Sequence, residues 1–405
     1  MATAARATIG RLRGGGRGWI ILAVATGWLL ILGGRFLVPA LLPQVKAGFG
    51  IGNAAGGVAV TVLWATYALM QSPAGVLTDR FGERVLIVGS LGLCAIAVIL
   101  LGGAPTYLIF LLACGLFGFA SGLFGPARGM VLTRVFSDDN SAAIGLTLAA
   151  GSIGSATLPF LAGSIVGAVS WRILVAALLA PYAVAAGFAW WAVPSQSRAT
   201  DHDSEETQSG MLRAIGDAIR IAGLRRAAVA HTGMLFVYQG LTAFYVTYFV
   251  DAVGFDQGIV ALLFAALFLA GAGAQVSGGF VANAIGARWV LFVLAAVGAL
   301  SAAALPFVDS LLPLFVVTIV VGTRLGYSPV SNAYMIAVLP PGIRGRVWGL
   351  IRTSNFVVGS LGSTVVGVMA DAGYFDEAFF MLAAVSALSA LLYINLPGRE
   401  GVGMP

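Results

Sequence analysis

Two arginines stand where charge is least welcome. Arg35 and Arg324 fall inside long apolar runs of this 405-residue chain, away from the loops that hold most of its other cations. An arginine at the middle of a bilayer costs about 2.5–3.5 kcal/mol on insertion scales, and its guanidinium does not shed its proton to escape that cost. None of the 16 Asp and Glu residues lies in the middle of an apolar run. The counter-charge must therefore come from carbonyls, water, helix ends or a bound anion. The planar fork of donors suits the paired oxygens of a carboxylate, a phosphate or another oxyanion. Tyr238 and Tyr245 are seven residues apart and so share a helix face, with Gln239 beside it. Their hydroxyls and the amide can orient an anion, as can Tyr67, which has Gln71 one turn on. Trp28 and Trp64 have the bulk to shape a cavity. His231 is the one embedded group that titrates near neutral pH, which makes it the candidate for relaying a proton. Arg128 and Arg352 lie nearer the ends of their runs and suit a gate or a lipid contact.

The elements that position these residues follow from composition. A mean hydropathy of +0.97, with 59% hydrophobic and 9% charged residues, excludes an ordinary soluble domain, about a quarter of which is charged. A bilayer crossing takes roughly 20 residues, so the chain has room for about twelve. The apolar runs predict helices at 18–42, 55–78, 84–104, 106–132, 141–168 and 171–193, then at 227–251, 257–282, 287–307, 311–338, 346–370 and 376–396. Arg324 then falls in helix 10 and Arg35 in the outer half of helix 1.

Charge orients these helices. Arg80, Arg84, Arg134, Arg288, Arg344 and Arg346 gather in loops on one side, with the arginines of the N-terminal segment. That asymmetry predicts both termini in the cytoplasm of a multi-pass plasma-membrane protein. It also accounts for the net charge of +6 without nucleic acid as a partner. The predicted layout is a tail over 1–17, a six-helix bundle over 18–193, a linker over 194–226, a second bundle over 227–396 and a tail over 397–405. Within the linker, Met211, Leu212, Ile215 and Ile219 recur at helical spacing among arginines, as in an amphipathic helix lying on the membrane surface.

One polar stretch occurs twice. Gly75-Val-Leu-Thr-Asp79-Arg80-Phe-Gly82-Glu83-Arg84 separates helices 2 and 3. Gly279-Phe-Val-Ala-Asn283-Ala-Ile-Gly286-Ala-Arg288 separates helices 8 and 9, at an offset of 204 residues. In each, the first glycine is expected to let helices approach closely and the second to supply a turn conformation that a side chain opposes. A duplicated polar loop in two hydrophobic halves points to a transporter built from repeats.

The spacing G-x-x-x-D-R-x-G-x-R at this location resembles the signature loop of the major facilitator superfamily, and the resemblance extends over nearly the whole chain. Trp171-Arg172 and Arg344-Gly345-x-x-x-Gly349 are similar to further motifs of the family. The resemblance implies an all-α integral membrane protein of twelve helices, in two six-helix pseudo-symmetric bundles that work by alternating access. It places helices 1, 4, 7 and 10 around a central cavity, and hence Arg35 and Arg324 on cavity helices. It also implies that Asp79 bonds toward the start of helix 11, near Arg346 and Val347. Asn283 lacks the charge and is expected to lock more weakly. Two departures weaken a drug-antiporter or proton-coupled reading. Leu158 stands where a glycine is expected before Pro159, and Cys114 where proton-coupled branches carry a membrane arginine.

The expected function is therefore secondary transport of a small organic or inorganic anion by a monomer among membrane lipids. The alternative is export of apolar or cationic compounds. An ATP-driven pump is disfavoured, because the single lysine, Lys46, is in the wrong context for a phosphate-binding loop. No acid–base pair or zinc motif suggests an enzyme, and Cys94 and Cys114 have no metal-ligand spacing. No cofactor and no metal are expected.

Overall fold

A computed structural model describes residues 14–137, 139–195, 221–340 and 344–397, with Gly15, Ala222, Gly345 and Arg346 described by their backbone alone. The surface helix expected at 211–220, most of the linker and most of both tails lie outside the described residues. Among the described residues, twelve helices are long and apolar enough to cross a membrane. They are α1 (Arg17–Ala40), α2 (Asn53–Phe81), α3 (Glu83–Gly103), α4 (Tyr107–Val135), α5 (Asn140–Ile165) and α6 (Trp171–Ala192). There follow α7 (Gly223–Ala252), α8 (Gln257–Ile285), α9 (Ala287–Phe307), α10 (Leu311–Val338), α11 (Arg344–Asp371) and α12 (Phe375–Ile394). A short helix, Leu42–Phe49, joins α1 to α2.

The duplication read from one loop runs through the fold. Helices α2 to α6 start at Asn53, Glu83, Tyr107, Asn140 and Trp171, and α8 to α12 start at Gln257, Ala287, Leu311, Arg344 and Phe375, each 204 residues later. The interior contacts repeat as well. A Cβ on Gly118 of α4 would collide with the Leu63 carbonyl of α2, and one on Gly322 of α10 would collide with the Leu267 carbonyl of α8. Both residues of each pair have their counterpart at the same offset. Without a hydrophobic force between helices in lipid, close backbone approach over small residues is what holds such pairs together.

By its internal contacts the chain forms two compact units. One takes in the chain to Leu41 and again from Val62 into the linker, and the other takes in Leu42–Thr61 and the chain beyond the linker. In the first, Val24, Ile31, Leu91, Cys94, Phe117 and Phe124 are fully buried. In the second, Met234, Leu291, Tyr327, Met335 and Tyr393 belong to one apolar cluster. The helices are apolar on their outer faces too. Leu112, Val184, Phe280 and Leu312 are well exposed, as lipid-facing side chains must be when every backbone group is satisfied inside its own helix.

The two polar loops are only partly as expected. Gly82 and Gly286 adopt φ of 86° and 92°, each just before a helix, so both turns use a conformation that disfavours a side chain. The close approach expected at Gly75 and Gly279 is absent: a Cβ at either would meet nothing within 4 Å. Gly118 and Gly322 are among the glycines that do pack closely. Helix α7 begins at Gly223, earlier than the expected 227, because Arg225 and Arg226 are accommodated on its exposed side.

Overpacking an interior contact costs about 1–3 kcal/mol. Gly118→Val and Gly322→Val should therefore lower the melting temperature of the detergent-solubilised protein by several degrees. Gly75→Ala and Gly279→Ala should leave it unchanged.

Candidate functional site

Arg35 is 1% exposed, in the last third of α1. Its Nε donates to Ser121 Oγ of α4 at 3.2 Å, and its Nη2 donates to the Ser121 carbonyl at 3.3 Å. Aromatic rings surround it as well. The guanidinium carbon lies 3.6 Å from the Tyr67 ring centroid, 5.2 Å from that of Trp64 and 5.6 Å from that of Trp28. A cation over a desolvated ring gains about 0.5–2 kcal/mol, so this wall offsets part of the burial cost while leaving the net charge in place. Tyr67, expected from its spacing alone as a weak ligand candidate, is thus the nearest ring to the cation. Ser121 was not foreseen, since nothing in a lone serine of an apolar run points to an arginine on another helix.

Arg324 is also 1% exposed. It opens a single turn of 3-10 helix, Arg324–Gly326, that interrupts α10. Such a mid-helix turn redirects side chains and often marks a hinge. Its Nη2 donates to the Met234 carbonyl of α7 at 2.9 Å, while its Nε is buried without a hydrogen-bond partner among the described residues. The Nε passes Gly298 of α9, where a Cβ would stand 3.5 Å away. Tyr238 and Tyr327 are within electrostatic reach of the guanidinium. Tyr245, two turns along the same face as Tyr238, hydrogen-bonds Thr318 of α10. Neither Arg35 nor Arg324 forms an ion pair with a described residue.

The repeat shows these two sites to be variants of one. At the 204-residue offset, Arg35 corresponds to Gln239 and Arg324 to Ala120, next to Ser121. Each half thus ties its first helix to its fourth with one arginine, carried by α1 in one unit and by α10 in the other. The accepting carbonyl recurs too: Leu30 takes the Tyr182 hydroxyl at 2.7 Å, and its counterpart Met234 takes Arg324. Gln239 keeps the position that Arg35 fills. It is fully buried, and neither its amide nitrogen nor its oxygen has a partner among the described residues. An unsatisfied buried polar group costs about 1–3 kcal/mol.

The other expected residues lie apart from these. Asp79 is exposed and makes no hydrogen bond with a described residue. Arg80 lies over the Phe81 ring, and Arg84 donates to the Trp190 carbonyl while its guanidinium carbon sits 4.2 Å from a Trp190 ring centroid. In the second loop Asn283 is exposed and Arg288 lies over Trp289. The carboxylate that is engaged beside the first loop is Glu83, 4% exposed, which takes a two-pronged bond from Arg134 at 3.0 and 3.3 Å. Its counterpart is Ala287, so the pair belongs to one half alone. His231 is buried with Nδ1 unpartnered, its ring 5.2 Å from that of Tyr327.

Twelve spanning helices in two repeats, with buried cations on the first and fourth helices, define a membrane carrier. The family model described as Major Facilitator Superfamily matches residues 23–323 and 227–403, and the chain belongs to that family of transporters. Among curated proteins it is 27% identical over 372 residues to the fosmidomycin resistance protein of Escherichia coli K12, covering 90% of this chain and 89% of that one. It is 24% identical over 238 residues to the probable nitrate/nitrite antiporter NarK1 of Thermus thermophilus, covering 56% of this chain and 52% of that one. A 144-residue match at 29% identity to the probable sulfoacetate transporter SauU of Cupriavidus necator covers 35% of this chain and 34% of that one. The fold matches a bacterial homolog of the human lysosomal transporter Spinster with a TM-score of 0.80, at 15% identity over 94% of this chain and 97% of that one. The nucleoside transporter NupG matches with a TM-score of 0.78, also at 15% identity, over 93% and 99%.

If the Tyr67 ring holds the cation, Tyr67→Phe should melt close to the wild type. Tyr67→Leu should lose about 1–2 kcal/mol. Equal losses in the two variants would assign the effect to the hydroxyl instead.

Proposed function

We propose that this transporter carries a small oxyanion, organic or inorganic, and that Arg35 and Arg324 supply the charge that draws it. The observation that carries the reading is that each unit buries one guanidinium with no carboxylate paired to it among the described residues. A cation deep in a membrane protein marks a functional position by default, because nothing structural compensates its cost in full. Rings and carbonyls leave room for a better partner, since a charge-assisted pair is stronger than a contact with an aromatic face. In this conformation Arg35 is covered by Tyr67, Trp64 and Trp28, so cargo reaches it when those rings turn aside. Tyr238 and the unsatisfied amide of Gln239 orient cargo beside Arg324. Nitrate, nitrite and sulfoacetate, named for two of the similar proteins, are oxyanions and agree with this assignment.

A second reading, export of drug-like compounds, draws on the fosmidomycin resistance protein, which is similar over most of the chain. In either case the loop arginines support a plasma-membrane protein with both termini cytoplasmic, and the proposed transporter is a monomer with one six-helix bundle on each side of the linker. The polar loops act as conformational locks through Asp79, Arg80, Arg84, Asn283 and Arg288. For coupling to protons the chain offers His231.

A thermal-shift screen of the purified protein separates the two readings. Nitrate, sulfonates, phosphonates or carboxylates should raise the melting temperature. Arg35→Gln and Arg324→Gln should each weaken the apparent affinity by roughly 10–100-fold, the loss of about 1.5–3 kcal/mol for a hydrogen bond to a charged group. Stabilisation by lipophilic cations alone, undisturbed by either substitution, would reverse the order of the two readings.

A further inference from the structure

The start of α2 is capped by a residue that is not its own. Asp371, the last residue of α11, accepts hydrogen bonds from the backbone N–H groups of Asn53 at 2.6 Å and Ala54 at 2.8 Å. These are two of the N–H groups that a helix start leaves without an intrahelical acceptor, at the positive end of the helix dipole. The repeat shows what is unusual here. Helix α8 begins with its own cap, Asp256, whose carboxylate accepts from the Ile259 N–H at 3.1 Å. The residue at the same place before α2 is Gly52. A Cβ on Gly52 would stand 2.5 Å from Asp371 Oδ2, so the missing side chain is what lets the carboxylate of α11 in.

Other contacts gather at this end. Cβ atoms on Gly57 and Gly367 would collide with the carbonyls of Ser363 and Asn53. The Thr61 hydroxyl donates to the Ser360 carbonyl at 2.8 Å and shares hydrogen bonds with Ser363 Oγ and Thr364 Oγ1. Lys46 reaches Asn53 Oδ1 at 2.6 Å and Asp251 at 2.9 Å. All of these belong to the unit that contains Leu42–Thr61, which takes only the first turns of α2. Asp371 itself is exposed, so water can replace its bonds when they open.

We propose that Asp371 is a releasable clasp: it lends α2 the cap that Gly52 cannot supply, holds the Asn53 end of α2 on α11 in this conformation, and lets go during each transport cycle. A helix that carried its own cap would lose nothing when α11 moved away. Helix α2 loses its cap, which favours the clasped state by an amount that one carboxylate sets.

The test uses the full-length protein in vesicles and needs no substrate, so it stands apart from the anion assignment. Ser363, fully buried here, is replaced by cysteine as a reporter and labelled with a membrane-impermeant maleimide from either side. The native Cys94 and Cys114 are buried and serve as the background. Asp371→Asn, which weakens the clasp, should raise the labelling rate at least threefold. Gly52→Asp, which gives α2 its own cap and displaces the Asp371 carboxylate, should do the same without lowering the melting temperature. Asp309→Asn, a loop carboxylate elsewhere, should change neither. Unchanged labelling in both Asp371→Asn and Gly52→Asp overturns the proposal. So does faster labelling in Asp371→Asn alone together with a lower melting temperature, which would make Asp371 a plain structural cap.

Discussion

Charge without counter-charge is the constraint from which the rest of this structure can be understood. A guanidinium in a low-dielectric interior must be hydrogen-bonded and shielded, or the helix that bears it leaves the membrane. The chain meets that demand with neutral groups: one serine and three aromatic rings for Arg35, one α7 carbonyl for Arg324. Neutral partners make the cation tolerable without cancelling it. A built-in carboxylate would have been the stronger structural solution and a poorer anion site.

Duplication supplies the scaffold, and divergence supplies the chemistry. The glycine contacts Gly118–Leu63 and Gly322–Leu267 are the same contact made twice, and they fix how the fourth helix of each repeat lies on the second. On that common frame the arginine has moved from the first helix of one repeat to the fourth helix of the other. The loop carboxylate has become Asn283, and the helix cap Asp256 has no counterpart at Gly52. The proposed roles in recognition and conformational control both fall on these departures from symmetry, where packing alone dictates nothing.

The helices were legible because apolar runs of about 20 residues have few alternatives in a membrane. The repeat was legible because the two loops keep their glycines. Contacts between distant residues were not. Asp371 meets Asn53 and Ala54 across more than 300 residues, and neither end carries a local signal. The 3-10 turn at Arg324 was hidden because glycine and proline, here Gly326 and Pro329, occur freely inside membrane helices without marking an interruption. Gly75 misled for the opposite reason: in a membrane helix a glycine suggests close packing, yet this one faces open space. Gln239 could be singled out by type, but only its empty hydrogen-bonding positions in the fold set it apart from a satisfied amide.

The central claim is that cargo completes the electrostatics of the buried arginines. Counterflow in proteoliposomes, with a labelled oxyanion outside and the same anion trapped inside, measures this directly and needs no assumption about the coupling ion. The wild type should accumulate label transiently, and Arg35→Gln and Arg324→Gln, reconstituted in equal amounts, should not. Wild-type rates of anion counterflow in both variants would contradict the account.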